Sequence, residues 1–172
     1  MKRHVALVGF MAAGKTTIGR RLARELGVEF LDTDALIAET HGPIPEIFAT
    51  EGEARFREYE RAAAELAFSG PAKVVSLGGG AVTHAPTRSL IAEHAVRIYI
   101  AVTPEKILGR LKRSRTVRPV IGEQPTLAAV RTLLAAREPL YREAEIVVEG
   151  GLRSRVALAK QIAQLVRLER GA

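Results

Sequence analysis

The sequence predicts an α/β fold in which a parallel sheet is covered by helices on both faces, and three observations carry that prediction. Short apolar runs at 5–8, 28–31, 73–77, 96–102 and 146–148 alternate with helical patterns along the whole chain, the arrangement that parallel strands joined by crossover helices require. Between the first run and the first helical pattern stands Gly9-Phe10-Met11-Ala12-Ala13-Gly14-Lys15-Thr16, which fits GxxxxGK[ST], the phosphate-binding loop. The 172 residues, 47% of them hydrophobic, suit one domain with a substantial core.

Val5-Ala6-Leu7-Val8 reads as a buried strand, and the helix after the loop opens at Gly14. From Thr17 to Leu26 that helix has Ile18, Leu22 and Leu26 at helical spacing, and Gly27 stops it. Val28-Glu29-Phe30-Leu31 is a second short strand that delivers Asp32 and Asp34 at its carboxyl end, where open α/β sheets place their ligands. A helix starts at Thr33 and is broken by Gly42-Pro43 and Pro45; a short helix through Ile47-Phe48 and a longer one from Glu51 to about Phe68 follow. Lys73 to Leu77 is a third buried strand, running into Gly78-Gly79-Gly80.

In the second half, Pro86 to His94 reads as a helix and Val96 to Val102 as a strand with an alternating pattern. Thr103-Pro104-Glu105 opens a helix carrying Ile107, Leu108 and Leu111, with proline at its first position. A helix from Thr126 to about Ala144, a strand at Ile146-Val147-Val148 and a closing helix from Arg153 to Leu168 complete the chain.

The loop's residue types answer to phosphate chemistry. A triphosphate needs many donors at close range, and glycine at Gly9 and Gly14 lets backbone N–H groups turn inward. Lys15 would reach the β- and γ-phosphates, the Thr16 hydroxyl would ligate Mg²⁺, and the helix adds its positive N-terminal end. Asp32 and Asp34 admit two readings: an N-cap with a first-turn carboxylate, or one group holding metal-bound water and one accepting a substrate proton. The run Val74-Val75-Ser76-Leu77 ends in glycine and lacks the Asp that commonly serves Mg²⁺ in such nucleotide sites, which favours the second reading for Asp32. The triple glycine is either a loose turn or a place where a small ligand lies against bare backbone N–H groups.

Composition excludes several classes. Without cysteine there are no disulfides, thiol catalysis or cysteine zinc sites, and His4, His41, His84 and His94 have no metal-like spacing. No apolar run approaches the ~20 residues of a membrane span, and Met1-Lys2-Arg3-His4 leads straight into a strand, so a cytoplasmic protein without signal peptide is expected. The net charge of +7 is spread through arginine-rich stretches mixed with glutamates and free of interleaved aromatics. That pattern points to small anions rather than nucleic acid.

Taken together, GFMAAGKTT at 9–17, LDTD at 31–34, Ile47-Phe48 followed by GEARFREYE at 52–60, LGGGAV at 77–82, Arg118-Pro119 and REPLY at 137–141 resemble the successive motifs of the shikimate kinase family. The resemblance covers nearly the whole chain in order. It implies a three-layer P-loop kinase fold of the nucleoside-monophosphate-kinase type: a five-stranded parallel sheet, a substrate-binding helical region at about 33–60 and a mobile lid at about 112–124. It implies ATP-dependent phosphorylation of the shikimate 3-hydroxyl, with Mg²⁺ as cofactor, by a monomer.

Residue by residue, the resemblance implies that Ala12, Ala13, Gly14, Lys15, Thr16 and Thr17 bind ATP, and that Thr16 and Asp32 serve the metal. Asp34 would hold the substrate hydroxyls and take the proton, Arg57 and Arg137 would bind the carboxylate, and Gly79 and Gly80 would lie beside the ring. Glu60 would orient Arg57, Arg118 would be the lid arginine on the phosphates, and an arginine near Arg153 would approach adenine. The planar guanidinium fork suits a carboxylate, and an aspartate suits hydroxyls. Three positions depart from the family pattern: Ala12 in place of glycine, Val120 in place of leucine, and the proline-rich His41-Gly42-Pro43-Ile44-Pro45. The alternatives are a related small-metabolite kinase of the gluconate type, or a module that senses shikimate or nucleotide without turnover.

Overall fold

A computed structural model describes residues 4–114 and 118–169, together with the backbone of 170–171. Five strands, β1 (His4–Val8), β2 (Glu29–Asp32), β3 (Lys73–Ser76), β4 (Ala95–Ala101) and β5 (Ile146–Glu149), form one sheet in the order β2-β3-β1-β4-β5. Every adjacent pair is parallel, with Leu7 opposite both Ser76 and Ile98. Each return must therefore cross a face of the sheet, and helices do so: α1 (Lys15–Leu26), α2 (Thr33–His41), α3 (Ile44–Thr50), α4 (Gly52–Ala67), α5 (Ala85–His94), α6 (Pro104–Arg113), α7 (Leu127–Tyr141) and α8 (Arg155–Gly171). The strand order reverses around β1, so the crevice at the carboxyl ends of β1 and its neighbours is the natural ligand site of such a sheet.

The principal core lies on both faces of β1, β3 and β4, whose Val5, Ala6, Leu7, Val74, Val75, Ile98 and Ile100 are fully buried. A second, smaller core of Ile37, Ile47, Phe56 and Ala63 joins α2, α3 and α4 into a helical unit beside the sheet. Residues 33–60 thus have apolar packing of their own.

Several boundaries differ from the sequence expectation. β2 extends to Asp32, which makes that residue both the last of a strand and the N-cap of α2. Pro45 falls in the first turn of α3, where its missing N–H costs nothing, so the prolines start a helix as well as ending one. A 3-10 turn at Ala81–Thr83 follows the triple glycine. α7 ends at Tyr141 despite Pro139 inside it, and α8 begins at Arg155, leaving Arg153 in the preceding turn. β4 does not alternate: it is buried on both faces except at Arg97, whose guanidinium reaches Glu145 at 3.1 Å.

Candidate active site

The phosphate loop runs from the end of β1 to α1. Gly9 has φ +144°, and a Cβ there would stand 2.9 Å from the Ile100 carbonyl oxygen, so glycine is required both for conformation and for the approach to β4. Gly14, the N-cap of α1, has φ +100°. Ala12 is left-handed as well, with φ +60°, among glycines that adopt such angles freely. Its carbonyl and that of Ala13 are held by Arg110 Nη1 at 2.9 and 3.0 Å.

Lys15 is buried and turns back over the loop, its Nζ donating to the carbonyls of Gly9 at 2.7 Å and Phe10 at 2.9 Å. Burial lowers its pKa to about 8, against the opposing pull of Asp34 and Asp32. Thr16 donates from its hydroxyl to Asp32 Oδ2 at 2.6 Å, while Thr17 stands half-buried in the first turn of α1. The other oxygen of Asp32, Oδ1, accepts from the backbone N–H groups of Asp34 at 3.1 Å and Ala35 at 3.3 Å. The two readings of Asp32 are therefore not exclusive, since one oxygen caps a helix while the other faces the loop threonine.

Below the loop is a cavity of about 420 Å³. Asp34, Glu60, Arg57, Arg137, Arg118 and the triple glycine contribute to its wall, with Phe48, Phe56, Pro119 and Val120 on the apolar side. Arg57 is clamped by Glu60 at 2.7 Å and Glu53 at 2.8 Å. Glu60 is fully buried, which raises its pKa to about 7; Arg57 opposes that shift and Asp34 adds to it. Burial, and then the charge of Asp32, also raises the Asp34 carboxyl, while Lys15, Arg118 and Arg57 restrain it. Among the described residues, Asp34 Oδ1, Glu60 Oε1 and Arg118 Nε are buried without a hydrogen-bond partner.

The glycines explain how these charges come so close. A Cβ on Gly78 would lie 2.5 Å from Glu60 Oε1 and 2.7 Å from Asp34 Oδ1, and one on Gly80 would lie 2.5 Å from Arg57 Nη1. Gly79 passes under the loop, where a Cβ would be 3.1 Å from the Met11 nitrogen. Arg137, only 6% exposed, has its guanidinium over the Phe10 ring at 6.0 Å and forms no ion pair among the described residues.

The candidate residues thus gather at one place, with Arg153 the exception: it is exposed in the turn before α8. That turn abuts Arg110, since a Cβ on Gly151 would be 3.4 Å from Arg110 Nη2. Part of the expected lid, Arg115, Thr116 and Val117, lies outside the described residues. Sequence reasoning missed Arg110, Thr33 and the structural use of Tyr141. Thr33 is buried and links the Ser76 carbonyl to the Gly78 N–H, both at 3.3 Å, tying α2 to the triple glycine. Tyr141 donates to the Gly79 carbonyl. The sequence signals were a threonine between two aspartates at a strand end for Thr33 and the motif at 137–141 for Tyr141, with none for Arg110.

A metal would find oxygen ligands here. Among the described residues no three acidic, histidine or cysteine side chains converge as a metal cage, whereas Thr16 and Asp32 present a hydroxyl and a carboxylate side by side at the loop. This donor set fits Mg²⁺, which keeps several waters and binds one or two protein oxygens together with substrate phosphates.

Comparison with known proteins agrees with this geometry. The family model described as shikimate kinase matches residues 11–167. A shikimate kinase of Nitrobacter winogradskyi is 48% identical over 148 residues, covering 85% of this chain and 68% of its own; one of Mycobacterium avium is 44% identical, covering 86% and 83%. The solved shikimate kinase from Acinetobacter baumannii in complex with shikimate superposes with a TM-score of 0.91 at 38% identity, over 98% of this chain and 95% of that one. A gluconokinase from Sinorhizobium meliloti shares the fold alone, with a TM-score of 0.62 at 18% identity over 97% of each chain.

Proposed function

The chain belongs to the shikimate kinase family, and we propose that the cavity beneath the phosphate loop holds shikimate while ATP occupies the loop. The activity is ATP-dependent phosphorylation of the shikimate 3-hydroxyl, a step of aromatic amino acid biosynthesis. The observation that carries the site assignment is the buried Arg137, which has no carboxylate partner among the described residues and shares one cavity with Arg57. A buried cation needs an anion, and a carboxylate substrate supplies one.

On this reading the backbone of residues 12–17 and Lys15 receive the phosphates, with Lys15 exchanging the Gly9 and Phe10 carbonyls for phosphate oxygens. Thr16 and Asp32 would hold Mg²⁺, which neutralises charge on the phosphates when bound. Arg57 and Arg137 bind the shikimate carboxylate, Glu60 fixes Arg57, and Gly79 and Gly80 let the ring lie against backbone. Asp34 accepts the proton from the 3-hydroxyl as its oxygen bonds to the γ-phosphorus and the bond to ADP breaks. The raised pKa of Asp34 suits a proton acceptor, and Lys15, Arg118 and Arg57 oppose that rise.

Residues 33–60 form the substrate-binding helical region and 112–124 the lid. Arg118 carries charge developing on the transferred group, so Arg118→Ala lowers kcat far more than it raises KM for shikimate. Adenine lies by the turn of Arg153 and by Arg110, whose guanidinium already reaches the loop. On this reading the protein acts as a monomer in the cytoplasm, the described lining of the cavity already containing Asp34, Arg57, Arg137 and the triple glycine. No helix among the described residues is long and apolar enough to cross a membrane.

A coupled ADP-release assay with shikimate, with gluconate and with neither tests the reading. Release is expected only with shikimate; equal release with gluconate, or none that depends on shikimate, would overturn it.

A further inference from the structure

Tyr141 occupies the last turn of α7 and is fully buried. Its ring stacks on Tyr99 of β4 with centroids 5.2 Å apart. Its hydroxyl donates to the carbonyl of Gly79, 62 residues away in sequence. Arg137, one helical turn earlier on the same face, lies near enough to the phenol oxygen for its positive charge to act on it. The directions are consistent: a guanidinium can only donate, a carbonyl can only accept, and a phenol does both. Burial raises the phenol to about 12, so its proton stays in place throughout the neutral range.

Arg137 forms no ion pair among the described residues, and the Phe10 ring 6.0 Å away sets its plane only weakly. A long side chain without a directional partner loses its orientation. We propose that Tyr141 is a positioning residue for substrate recognition, bridging the Arg137 guanidinium and the Gly79 carbonyl so that α7 and the triple-glycine segment present one fixed carboxylate-and-ring site. The inference rests on the reading of Arg137 and Gly79 as shikimate contacts. The rival role is core filling alone, with the hydroxyl serving only to satisfy one buried carbonyl.

Kinetics of the full chain in Y141F, R137K, the double variant and Y99F separate these roles. Phenylalanine keeps the ring, and Y99F removes a hydroxyl from the stacked neighbour without touching the bridge. Y141F should raise KM for shikimate roughly tenfold, as expected for a hydrogen bond to a charged group, with KM for ATP within about twofold of wild type. The rises for Y141F and R137K should combine to less than their product, because each breaks the same bridge. Thermal unfolding supplies a second readout: Y141F should lose most of the shikimate-induced rise in Tm and keep that induced by ADP. Wild-type KM for shikimate in Y141F, strict multiplication of the two effects, or an equal rise in Y99F would overturn the inference while the site assignment stands. Wild-type KM for shikimate in R137K would overturn the site assignment itself, and the inference with it.

Discussion

At the phosphate loop, Lys15 is satisfied by two backbone carbonyls, Thr16 by Asp32, and the carbonyls of Ala12 and Ala13 by Arg110. Across Gly79, in the cavity, Asp34, Glu60 and Arg118 each keep a buried polar atom without a partner among the described residues, and Arg137 forms no ion pair with a carboxylate among them. The loop can thus trade one set of oxygens for another when phosphates arrive. Arg57 already holds Glu53 and Glu60, but at Asp34, Glu60, Arg118 and Arg137 the cavity can gain partners, so a carboxylate bearing hydroxyls should meet its least competition from the protein's own groups there.

The comparison breaks most visibly if catalysis does not need both regions. Lys15→Met removes the loop's movable charge and should lower kcat by about 10³-fold, the scale of losing a preorganised electrostatic contact in the transition state. Because Lys15 is buried and bonds two carbonyls, a modest loss of stability should accompany it, although the fold persists by circular dichroism. Asp34→Asn should cost about 10²–10⁴-fold in kcat while ATP still binds. Near-wild-type turnover by either variant would mean that the roles are assigned to the wrong side chains.

Arg57→Ala probes the cavity alone. Shikimate affinity by calorimetry should fall by roughly 2–4 kcal/mol, with that for ATP little changed. The same truncation leaves Glu60 buried without its 2.7 Å partner, so Tm should fall too. Equal weakening of both ligands would point to a general folding defect instead of a recognition loss.

How far the two regions were legible in the sequence follows the same division. The loop is contiguous, and its glycines and lysine are dictated by local backbone chemistry, so Gly9 to Thr16 could be read directly. Asp32 and Asp34 were legible from their strand end, but the split use of the two Asp32 oxygens was not, because Thr16 reaches it only through the fold. Arg57 and Arg137 emerged only through the family resemblance, since nothing local separates them from the chain's other arginines. Arg110 reaches the Ala12 carbonyl from 98 residues away, and its partner is backbone, which leaves no trace in residue type. β4 misled for a related reason: Arg97 imitates an exposed position in an alternating pattern, but it pairs with Glu145 at the sheet's end while the rest of the strand is buried.

Glu60 sharpens the comparison through pH. Its folded pKa, about 7 against an ordinary 4.5, is raised by burial and by Asp34 and restrained by Arg57 and Arg137. A raised carboxyl favours the folded state fully below about pH 4.5, and that contribution is lost as pH rises through about 7, amounting to about 3 kcal/mol. Lys15 has the opposite sign: its pKa, lowered from 10.5 to about 8, contributes stability that is lost as pH falls through 8. Without ligands, the two groups together should make pH 7–8 the least favourable range for the site. Denaturant unfolding of wild type and Glu60→Gln across pH 5 to 8 should show a decline that is smaller in the variant, where Asp34, also raised by burial, is left to contribute with the same sign. Parallel curves would mean that Glu60 is ionised throughout.

The smallest effect is expected at Ala12. A non-glycine residue at φ +60° carries roughly 1 kcal/mol of strain, which Ala12→Gly would relieve. Glycine also enlarges the conformational freedom of the unfolded chain, which destabilises by about 0.4–1 kcal/mol. The two terms nearly cancel, so stability should change by less than about 0.5 kcal/mol. The loop should keep its shape, because Arg110 holds the carbonyls on both sides of the Ala13 Cα at 2.9 and 3.0 Å, and KM for ATP should stay within about threefold. Gly9→Ala is the contrasting case: a Cβ 2.9 Å from the Ile100 oxygen at φ +144° cannot be absorbed without moving the loop off β4, so ATP binding should fail there. A rise in stability above about 1 kcal/mol in Ala12→Gly, or a tenfold change in KM for ATP, would show that strain at Ala12, and not the grip of Arg110, sets the loop's geometry.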